Sequence, residues 1–545
     1  YYSVLNRPCL VVRPNLLVPG RQYTFVLRVV GDQSSGSASI LVEVNRPPRG
    51  GYFDVTPTTG RGLETEFHFS MGSWADDENN YPLTYNFYYA RAPTTSTTTS
   101  SAPFPLSVES VETPRQTFRL PPGIAATEYK LYPSAHVCDS LGACTVCTTK
   151  QDSNQVEIEV LPLSSSETMS FFQRAVDSEH ASTRDTAVIG VAADMLYPDE
   201  CDLPRTRTSI TSECVDILDQ HRTNAENMLT MLAASEAITL PSKVSLEQQA
   251  MTLAEISNFA GTEPSNFVFK LIEHGNRIVD SAFGSGLSLS TTTIIGLHAT
   301  FESLVDAVTQ PMHMNSTRNK SWAAGQKVAA GIERAVSNAL LMHVMGEDPL
   351  IISGAKLSVF GKVELLANMR WVPLAFLNFQ AGPIGFSMPS QIKDVDSAGD
   401  SLQFVAVAQS EQRGLRQLDG SSALPSIVTD LSLYDKQARR IPLLNLKHPI
   451  GISLPVRSRQ SSVAKCFFWD GPEERWSERG LFVEEFVRQN ESDMSTIGCA
   501  TTHLTSFLLE TTQALPLRDA GSTTLNQSDI SRLTFVFDTS NIPVV

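Results

Sequence analysis

Two stretches near the C-terminal end decide how this sequence is interpreted: Cys466-Phe-Phe-Trp-Asp470 and Gly498-Cys-Ala-Thr-Thr-His-Leu-Thr-Ser-Phe507. Each places a cysteine among aromatic or β-branched residues, a composition typical of strands. The second stretch runs into Ser506-Phe-Leu-Leu-Glu510, a further strand-like segment. The sequence therefore predicts a β-rich unit in which a His-Leu-Thr tripeptide directly precedes a strand.

His503 and Thr505 supply the two groups that self-cleavage requires. A threonine hydroxyl can attack the carbonyl carbon of the preceding residue, here Leu504, and water then hydrolyses the ester formed by this N-to-O acyl shift. The hydroxyl needs a base within hydrogen-bond reach, and His503 is the candidate. Residues 503 and 505 would share a face of an extended strand, whereas a tight turn would add strain to the amide. The tripeptide alone is equally compatible with an ordinary structural histidine.

The composition predicts a globular protein of several domains. A length of 545 residues corresponds to about three to five domains at about 100–200 residues each. Hydrophobic residues make up 41% of the chain and charged residues 18%, which suits packed cores. The formal net charge of -16 argues against a nucleic acid or an anionic membrane surface as the main partner. The sequence has no secretory leader, so we do not expect it to be a complete precursor. It has no apolar run of about 20 residues, so any membrane anchor would lie outside it.

The cysteine pattern favours an oxidising compartment. The eight cysteines form local groups: Cys9; Cys138, Cys144 and Cys147; Cys201 and Cys214; Cys466 and Cys499. Because Cys201 and Cys214 enclose a short polar loop, we expect them to form a disulfide. The pairing of Cys9 and of the 138–147 group stays open. A single C-x2-C pair without a second half at zinc spacing does not predict a metal site, and no cofactor motif is visible.

Glycosylation sequons support a secreted or cell-surface location. The four acceptors are Asn315, Asn319, Asn490 and Asn526. The Ser/Thr-rich segment 94–101 has two interpretations, an O-glycosylated stretch or a flexible loop.

The periodicity of apolar residues changes twice along the chain. Tyr23-Thr-Phe-Val-Leu-Arg-Val-Val30 alternates as a strand does, and strand-like segments such as Leu63–Phe69 and Gln155–Val160 continue to about residue 161. From about 167 to 345 the spacing becomes helical, as in Val328, Ile332, Val336, Leu340 and Val344. Strand-like segments then return.

This organisation predicts a multidomain, mainly β protein. The predicted divisions are 1–46, the C-terminal strands of an incomplete Ig/fibronectin-like sandwich; 47–162, a second sandwich; 163–345, a helical subdomain of five to seven helices; 346–512, a β-sandwich subdomain; and 513–545, a juxtamembrane-type tail.

The C-terminal stretch resembles the proteolysis-site (GPS) motif that closes the autoproteolysis-inducing (GAIN) domain of adhesion receptors and polycystin-1-like proteins. The matching residues, in order, are Cys466, Trp469, Asp470, Trp476, Cys499, His503, Leu504, Thr505 and Phe507. The motif would span 460–512, within a GAIN domain made of the helical and β subdomains. Towards the N-terminus, Pro19-Gly-Arg-Gln-Tyr-Thr-Phe25 and Trp74-Ala-Asp-Asp77 are similar to the "receptor for egg jelly" (REJ) region of polycystins.

This resemblance implies a cell-surface function with cleavage in cis. It implies a Cys466–Cys499 disulfide, catalytic roles for His503, Leu504 and Thr505, and a C-terminal fragment that remains associated after cleavage. It also implies a protein or glycan ligand, a polycystin-2-like channel partner, and a location on the extracellular side of the plasma membrane or ciliary membrane.

Two departures from the motif leave an alternative open. Leu481 and Thr501 occupy the positions where many adhesion receptors carry a second cysteine pair, and losing that constraint would slow cleavage. The alternative is an uncleaved adhesion or filament module. Since no Gly-x-Ser-x-Gly or His-Glu-x-x-His motif is present, we do not expect an enzyme beyond single-turnover self-cleavage.

Overall fold

The structure is a computed structural model of the chain. It describes residues 12, 16–31, 34–91, 103–106, 112–123, 125–150, 155–163, 167, 222–223, 225–230, 232–233, 241–258, 260, 265–309, 315–344, 347–354, 356–365, 371–373, 385–388, 403–411, 428–435, 439–441, 443, 446–456, 462–470, 475–479, 481–488, 495–504 and 506–513.

An antiparallel hairpin comes first. Its strands are β1 Gln22–Val30 and β2 Ser35–Glu43, with Phe25 opposite Ile40. Alternation places Phe25, Leu27, Val29 and Ile40 on one apolar face. Leu27, Val29 and Ile40 are each more than 60% exposed, so the described residues leave much of this face uncovered.

Two sheets that share one core form the next unit. Its strands are β3 Tyr52–Thr56, β4 Thr59–Arg61, β5 Glu66–Gly72, β6 Thr84–Ala90, β7 Phe104–Pro105, β8 Arg115–Arg119, β9 Lys130–Cys138, β10 Cys144–Cys147 and β11 Ile158–Leu161. One sheet has the order β3-β5-β8; the other has the order β4-β11-β9-β6-β7, with β10 on β9. Phe53 and Phe69 of the first sheet pack on Phe87 of the second, with ring centroids 6.2 and 5.7 Å apart.

The helical unit follows. Its helices are α1 Lys243–Ser257, α2 Asn266–Ser285, α3 Thr291–Thr309 and α4 Asn315–Ala339, and further helical residues lie within 222–233. Ser242 and Ser245 form a reciprocal capping box at the start of α1. Gly286 ends α2 with a left-handed φ of 66°, a conformation that costs glycine little. Phe301, Val328 and Ile332 are fully buried between the helices.

Two antiparallel sheets make up the C-terminal β unit. Its strands are β12 Leu350–Ser353, β13 Leu357–Leu365, β14 Trp371–Pro373, β15 Gly385–Ser387, β16 Gln403–Glu411, β17 Val428–Tyr434, β18 Arg440–Ile441, β19 Ile450–Val456, β20 Ser462–Asp470, β21 Arg475–Ser477, β22 Phe482–Arg488, β23 Ser495–Thr501 and β24 Ser506–Gln513. The eight-stranded sheet has the order β12-β13-β16-β17-β24-β20-β21, with β18 on β17; the five-stranded sheet has the order β14-β15-β19-β23-β22.

The helical core extends into both neighbouring β units. It includes Leu63 and Leu163 from the first and Leu357 and Tyr434 from the last. His298 of α3 lies within 2.8 Å, through Nε2, of the Leu357 carbonyl oxygen. The helices therefore link the β units through apolar packing and buried polar contacts.

The architecture confirms a multidomain, mainly β chain, with three local corrections. The strand predicted at Leu63–Phe69 begins at Glu66, because Leu63 lies in a turn at a φ of 62° and buries its side chain in the helical core. The strand predicted to begin at Gln155 begins at Ile158. Val344 is 52% exposed and lies beyond the helical face, since α4 gives way to the 3-10 turn Leu340–Met342.

Among the described helices, none is both long enough and apolar enough to cross a bilayer.

Candidate functional site

His503 lies where the chain passes from one C-terminal sheet to the other. Strand β23 belongs to the five-stranded sheet and β24 to the eight-stranded sheet. Thr502 and His503 form a bend between them. Of the two arrangements that the sequence left open, an extended strand and a tight turn, the structure has a bend at His503.

Two backbone hydrogen bonds hold this connection against the segment that precedes β19. The Leu446 N–H donates to the Thr502 carbonyl oxygen at 2.9 Å, and the Leu504 N–H donates to the Leu443 carbonyl oxygen at 3.1 Å. Leu443 and Leu446 are themselves buried. The peptide groups on both sides of His503 are thus fixed by well-packed neighbours.

A disulfide joins the two sheets beside the connection. Cys466 of β20 is bonded to Cys499 of β23, with Cα atoms 6.4 Å apart, and both residues are buried. Since Cys499 is only four positions before His503, the bridge restricts how far β23 can move relative to β20. The sequence provided this pair through the resemblance alone.

Aromatic rings surround the His503 imidazole. Phe468 packs edge-on with its centroid 4.5 Å from the imidazole and an interplanar angle of 78°. The Phe507 centroid lies 6.3 Å away. Nδ1 lies 3.3 Å from the Thr501 hydroxyl oxygen. Nε2 is buried and has no hydrogen-bond partner among the described residues.

These surroundings favour the neutral imidazole. Burial lowers the pKa of His503 below its ordinary value of 6.5, and the negative charge of Asp470 opposes this effect by raising it. Burial is the larger cause, because removing water destabilises the imidazolium. At neutral pH His503 therefore has a free lone pair and can accept a proton.

Strand β24 follows this site and occupies an interior position in its sheet. It pairs with β20, where Phe507 faces Phe468, and with β17, where Phe507 faces Thr429. Phe507 is 2% exposed and packs on Phe386 of the other sheet, with centroids 6.1 Å apart. The segment after the His-Leu-Thr tripeptide is consequently held by two ladders of backbone hydrogen bonds and by the core.

Several predicted residues lie outside the described part of the chain. These are Thr505, Cys201, Cys214, Asn490 and Asn526. Asn315 and Asn319 lie in the first turns of α4, and only their backbone is described.

The described N-terminal cysteines resolve one open pairing. Cys138 and Cys144 form a disulfide across the β9–β10 hairpin, and Cys147 is a buried free thiol.

Sequence reasoning missed the part played by Thr501 in this site. It identified Thr501 only as the place of an absent cysteine, whereas the structure gives this residue three contacts with His503. A polar residue two positions before the histidine is a weak signal, because the contacts depend on the bend at residues 502–503.

The described residues contain no group of metal-binding side chains. Histidines elsewhere have structural surroundings: His274 is 2% exposed on α2, and His298 bridges α3 to β13.

Comparison with known proteins gives a family for the N-terminal part. Residues 3–182 match the REJ domain family. The chain is 40% identical to human polycystin-1 over 80 residues, which cover 14% of this chain and 2% of polycystin-1. It is 24% identical over 176 residues to Protein VTE6, chloroplastic, from Arabidopsis thaliana, covering 32% of this chain and 49% of that protein. The chain thus matches a small part of polycystin-1 and about half of the plant protein. Together, the family match and the human relative support a polycystin-1-like REJ region.

Proposed function

We propose that this chain is an extracellular region of a polycystin-1-like membrane protein and that it cleaves itself between Leu504 and Thr505. The observation that carries the proposal is His503. Its imidazole is neutral at neutral pH, its Nε2 has no hydrogen-bond partner among the described residues, and it is held two residues before a threonine in a connection that is fixed on both sides. The surrounding Cys-Trp-Cys-His-Leu-Thr order and the REJ match support the same conclusion.

The reaction needs no external reagent except water. His503 takes the Thr505 hydroxyl proton as the hydroxyl oxygen bonds to the Leu504 carbonyl carbon. The Leu504–Thr505 C–N bond then breaks as its nitrogen takes that proton from His503 and leaves as the free amine of Thr505, and an ester joins Leu504 to the threonine oxygen. Water hydrolyses this ester, which gives a Leu504 carboxylate and restores the hydroxyl.

The two products would stay together without a covalent bond. The new C-terminal fragment begins at Thr505, directly before β24, which is paired on both edges and packed through Phe507. Residues 505–545 contain no cysteine, so none of these residues can form a disulfide across the cleaved bond. We therefore expect the chain's own C-terminal fragment to remain bound as its partner after cleavage.

Wider roles follow from the resemblance to polycystins. We propose sensing or adhesion at the cell surface, on the extracellular side of the plasma membrane or ciliary membrane, with a protein or glycan ligand and a polycystin-2-like channel partner. The N-linked acceptors and the disulfides support an oxidising, glycosylating compartment.

One observation favours a second candidate, an uncleaved adhesion module. Leu481 and Thr501 replace the second cysteine pair of related motifs, so one covalent constraint on the connection is absent. In this case His503 would be a structural residue of the turn.

The test compares four forms of the chain with a C-terminal epitope tag on denaturing gels: wild type, Thr505→Ala, Thr505→Ser and Thr502→Ala. We expect a short tagged fragment from the wild type and from Thr505→Ser, because both retain a hydroxyl. Thr505→Ala should remain intact. Thr502→Ala makes the same change in the same connection and should still be cut. An intact chain in all four forms would establish the uncleaved module instead.

A further inference from the structure

Thr501 is the last residue of β23 and is polar but almost fully buried, at 1% exposed. Its hydroxyl makes three contacts, all with His503. It donates to the His503 carbonyl oxygen at 3.1 Å, accepts from the His503 backbone N–H at 3.3 Å, and lies 3.3 Å from Nδ1. The backbone contacts alone would describe an ordinary hydroxyl-stabilised turn. The contact with the imidazole is the additional feature.

Counting hydrogens determines the direction of that third contact. A threonine hydroxyl has one hydrogen and two lone pairs. The His503 carbonyl oxygen, at 3.1 Å against 3.3 Å for Nδ1, is the nearer acceptor and takes the hydroxyl hydrogen, and the backbone N–H uses one lone pair. The remaining lone pair faces Nδ1, which must then carry a hydrogen to complete the bond. Since a neutral imidazole has one N–H, Nε2 is the nitrogen with the free lone pair.

The rest of the site agrees with this assignment. Nε2 is buried, and the described residues offer it no hydrogen-bond partner, which would leave a hydrogen there unsatisfied. Phe468 packs edge-on against the ring and restricts its rotation. The imidazole is thus held in one orientation with a basic nitrogen that no other described group occupies.

We propose that Thr501 is a positioning residue that fixes His503 in the Nδ1–H tautomer and so makes Nε2 the atom that accepts the hydroxyl proton in self-cleavage. The assignment of the tautomer stands on the hydroxyl contacts, whereas its role in the reaction rests on the proposed function. Thr501 itself touches no reacting atom in this proposal and acts through His503.

The spectroscopic test uses the full chain labelled with 15N-histidine in the non-cleaving Thr505→Ala background, with His503→Gln to identify the His503 signals. We expect a protonated Nδ1 and an unprotonated Nε2 in the background protein, which retains Thr501, and in its Thr501→Ser variant. Thr501→Val has nearly the same shape but no hydroxyl, so it should shift the signals towards Nε2–H. A protonated Nε2 in the background protein, or unchanged signals in Thr501→Val, would overturn the proposal.

The kinetic test follows cleavage after synthesis in forms that retain Thr505. We expect Thr501→Val to be cut about 10- to 100-fold more slowly than the wild type, and Thr501→Ser to be cut at nearly the wild-type rate, because a misplaced proton disables a histidine base. Circular dichroism checks that both variants fold. If the wild type is cut and Thr501→Val is cut at the same rate, the positioning role of Thr501 is overturned and the proposed self-cleavage is not. An uncut wild type would overturn the proposed function, and this role with it.

Discussion

At the scale of single residues, burial around His503 removes water from an imidazole that has one negatively charged neighbour, Asp470. The two influences oppose each other, and burial is the stronger. A histidine of this kind remains neutral where an exposed one would be partly protonated. His503 is therefore a neutral imidazole at neutral pH, as the proposed role of a base requires.

The pH dependence of cleavage should show this balance. Because burial lowers the pKa of His503 below 6.5, we expect the cleavage rate to be constant at neutral pH and to fall only as the pH drops through that lowered pKa. Asp470→Asn removes the charge that raises the pKa, so the fall should move to still lower pH. Glu478→Gln, an exposed carboxylate paired with Lys465, is the control and should leave the profile unchanged. A midpoint above 6.5, or a shift of Asp470→Asn to higher pH, would contradict this account.

At the scale of elements, the Cys466–Cys499 bridge closes a loop of 33 residues between the two C-terminal sheets. Such a loop restricts the unfolded chain, so replacing both cysteines by alanine should lower the free energy of unfolding of this unit by about 3–4 kcal/mol. Chemical denaturation followed by the fluorescence of the C-terminal tryptophans measures the change. The matched control replaces Cys138 and Cys144, whose loop spans six residues in the first β unit. If the control lowers the stability of the C-terminal unit by the same amount, the stabilisation cannot be assigned to the Cys466–Cys499 bridge.

Strand β24 determines whether a cleaved chain stays together. Phe507 is its buried anchor, and Phe507→Ala should cost about 3–5 kcal/mol as a large-to-small change in a core. We therefore expect fragments of this variant to separate at lower denaturant concentration than wild-type fragments in gel filtration. Phe507→Leu, which keeps most of the apolar volume, should lie between the two. Equal retention in all three forms would show that the ladders with β17 and β20 suffice without the core contact.

At the scale of the whole molecule, the helical unit acts as the link between the β units. Glu333 of α4 is buried where the helices meet the last unit, accepts a hydrogen bond from the Tyr434 hydroxyl, and has Arg440 at 3.9 Å. Burial raises the pKa of Glu333, and Arg440 counteracts the rise. We therefore expect the stability of this contact between α4 and the last β unit to depend on pH.

Stability should follow the charge of Glu333. Its folded-state pKa is raised, so the stabilisation is present below the ordinary value of 4.5 and is lost as the pH rises through the raised pKa. Glu333→Gln cannot ionise, so its stability relative to the wild type should increase between pH 4.5 and 7.5 in urea unfolding. Asp280→Asn changes an exposed partner of Arg334 and is the control. A relative loss of stability with rising pH would show that contacts with the ionised carboxylate outweigh its burial.

Sequence periodicity predicted the elements better than their assembly. The alternation in Tyr23–Val30 and the helical spacing of Val328, Ile332 and Val336 are local properties, and the structure has strands and helices there. The parallel pairing of β4 with β11 joins segments about 100 residues apart, which no local pattern encodes. Leu63 shows the same limit, because its side chain belongs to the core of another unit.

In the candidate site too, some residues could be predicted from the sequence and others could not. The resemblance to the GPS motif implied the Cys466–Cys499 disulfide and a role for His503, because the residues that match the motif can be read from the sequence in order. The contribution of Thr501 was not predictable, because its hydroxyl reaches Nδ1 only when the chain bends after β23.

The central claim is tested most directly by the intact mass of the purified chain under denaturing, non-reducing conditions. We predict two species, one of which corresponds to residues 505–545 with Thr505 at its N-terminus. Their masses should add up to that of the uncleaved chain plus one water, as hydrolysis of the ester requires. A single intact mass, or fragments divided at any other bond, would contradict self-cleavage between Leu504 and Thr505.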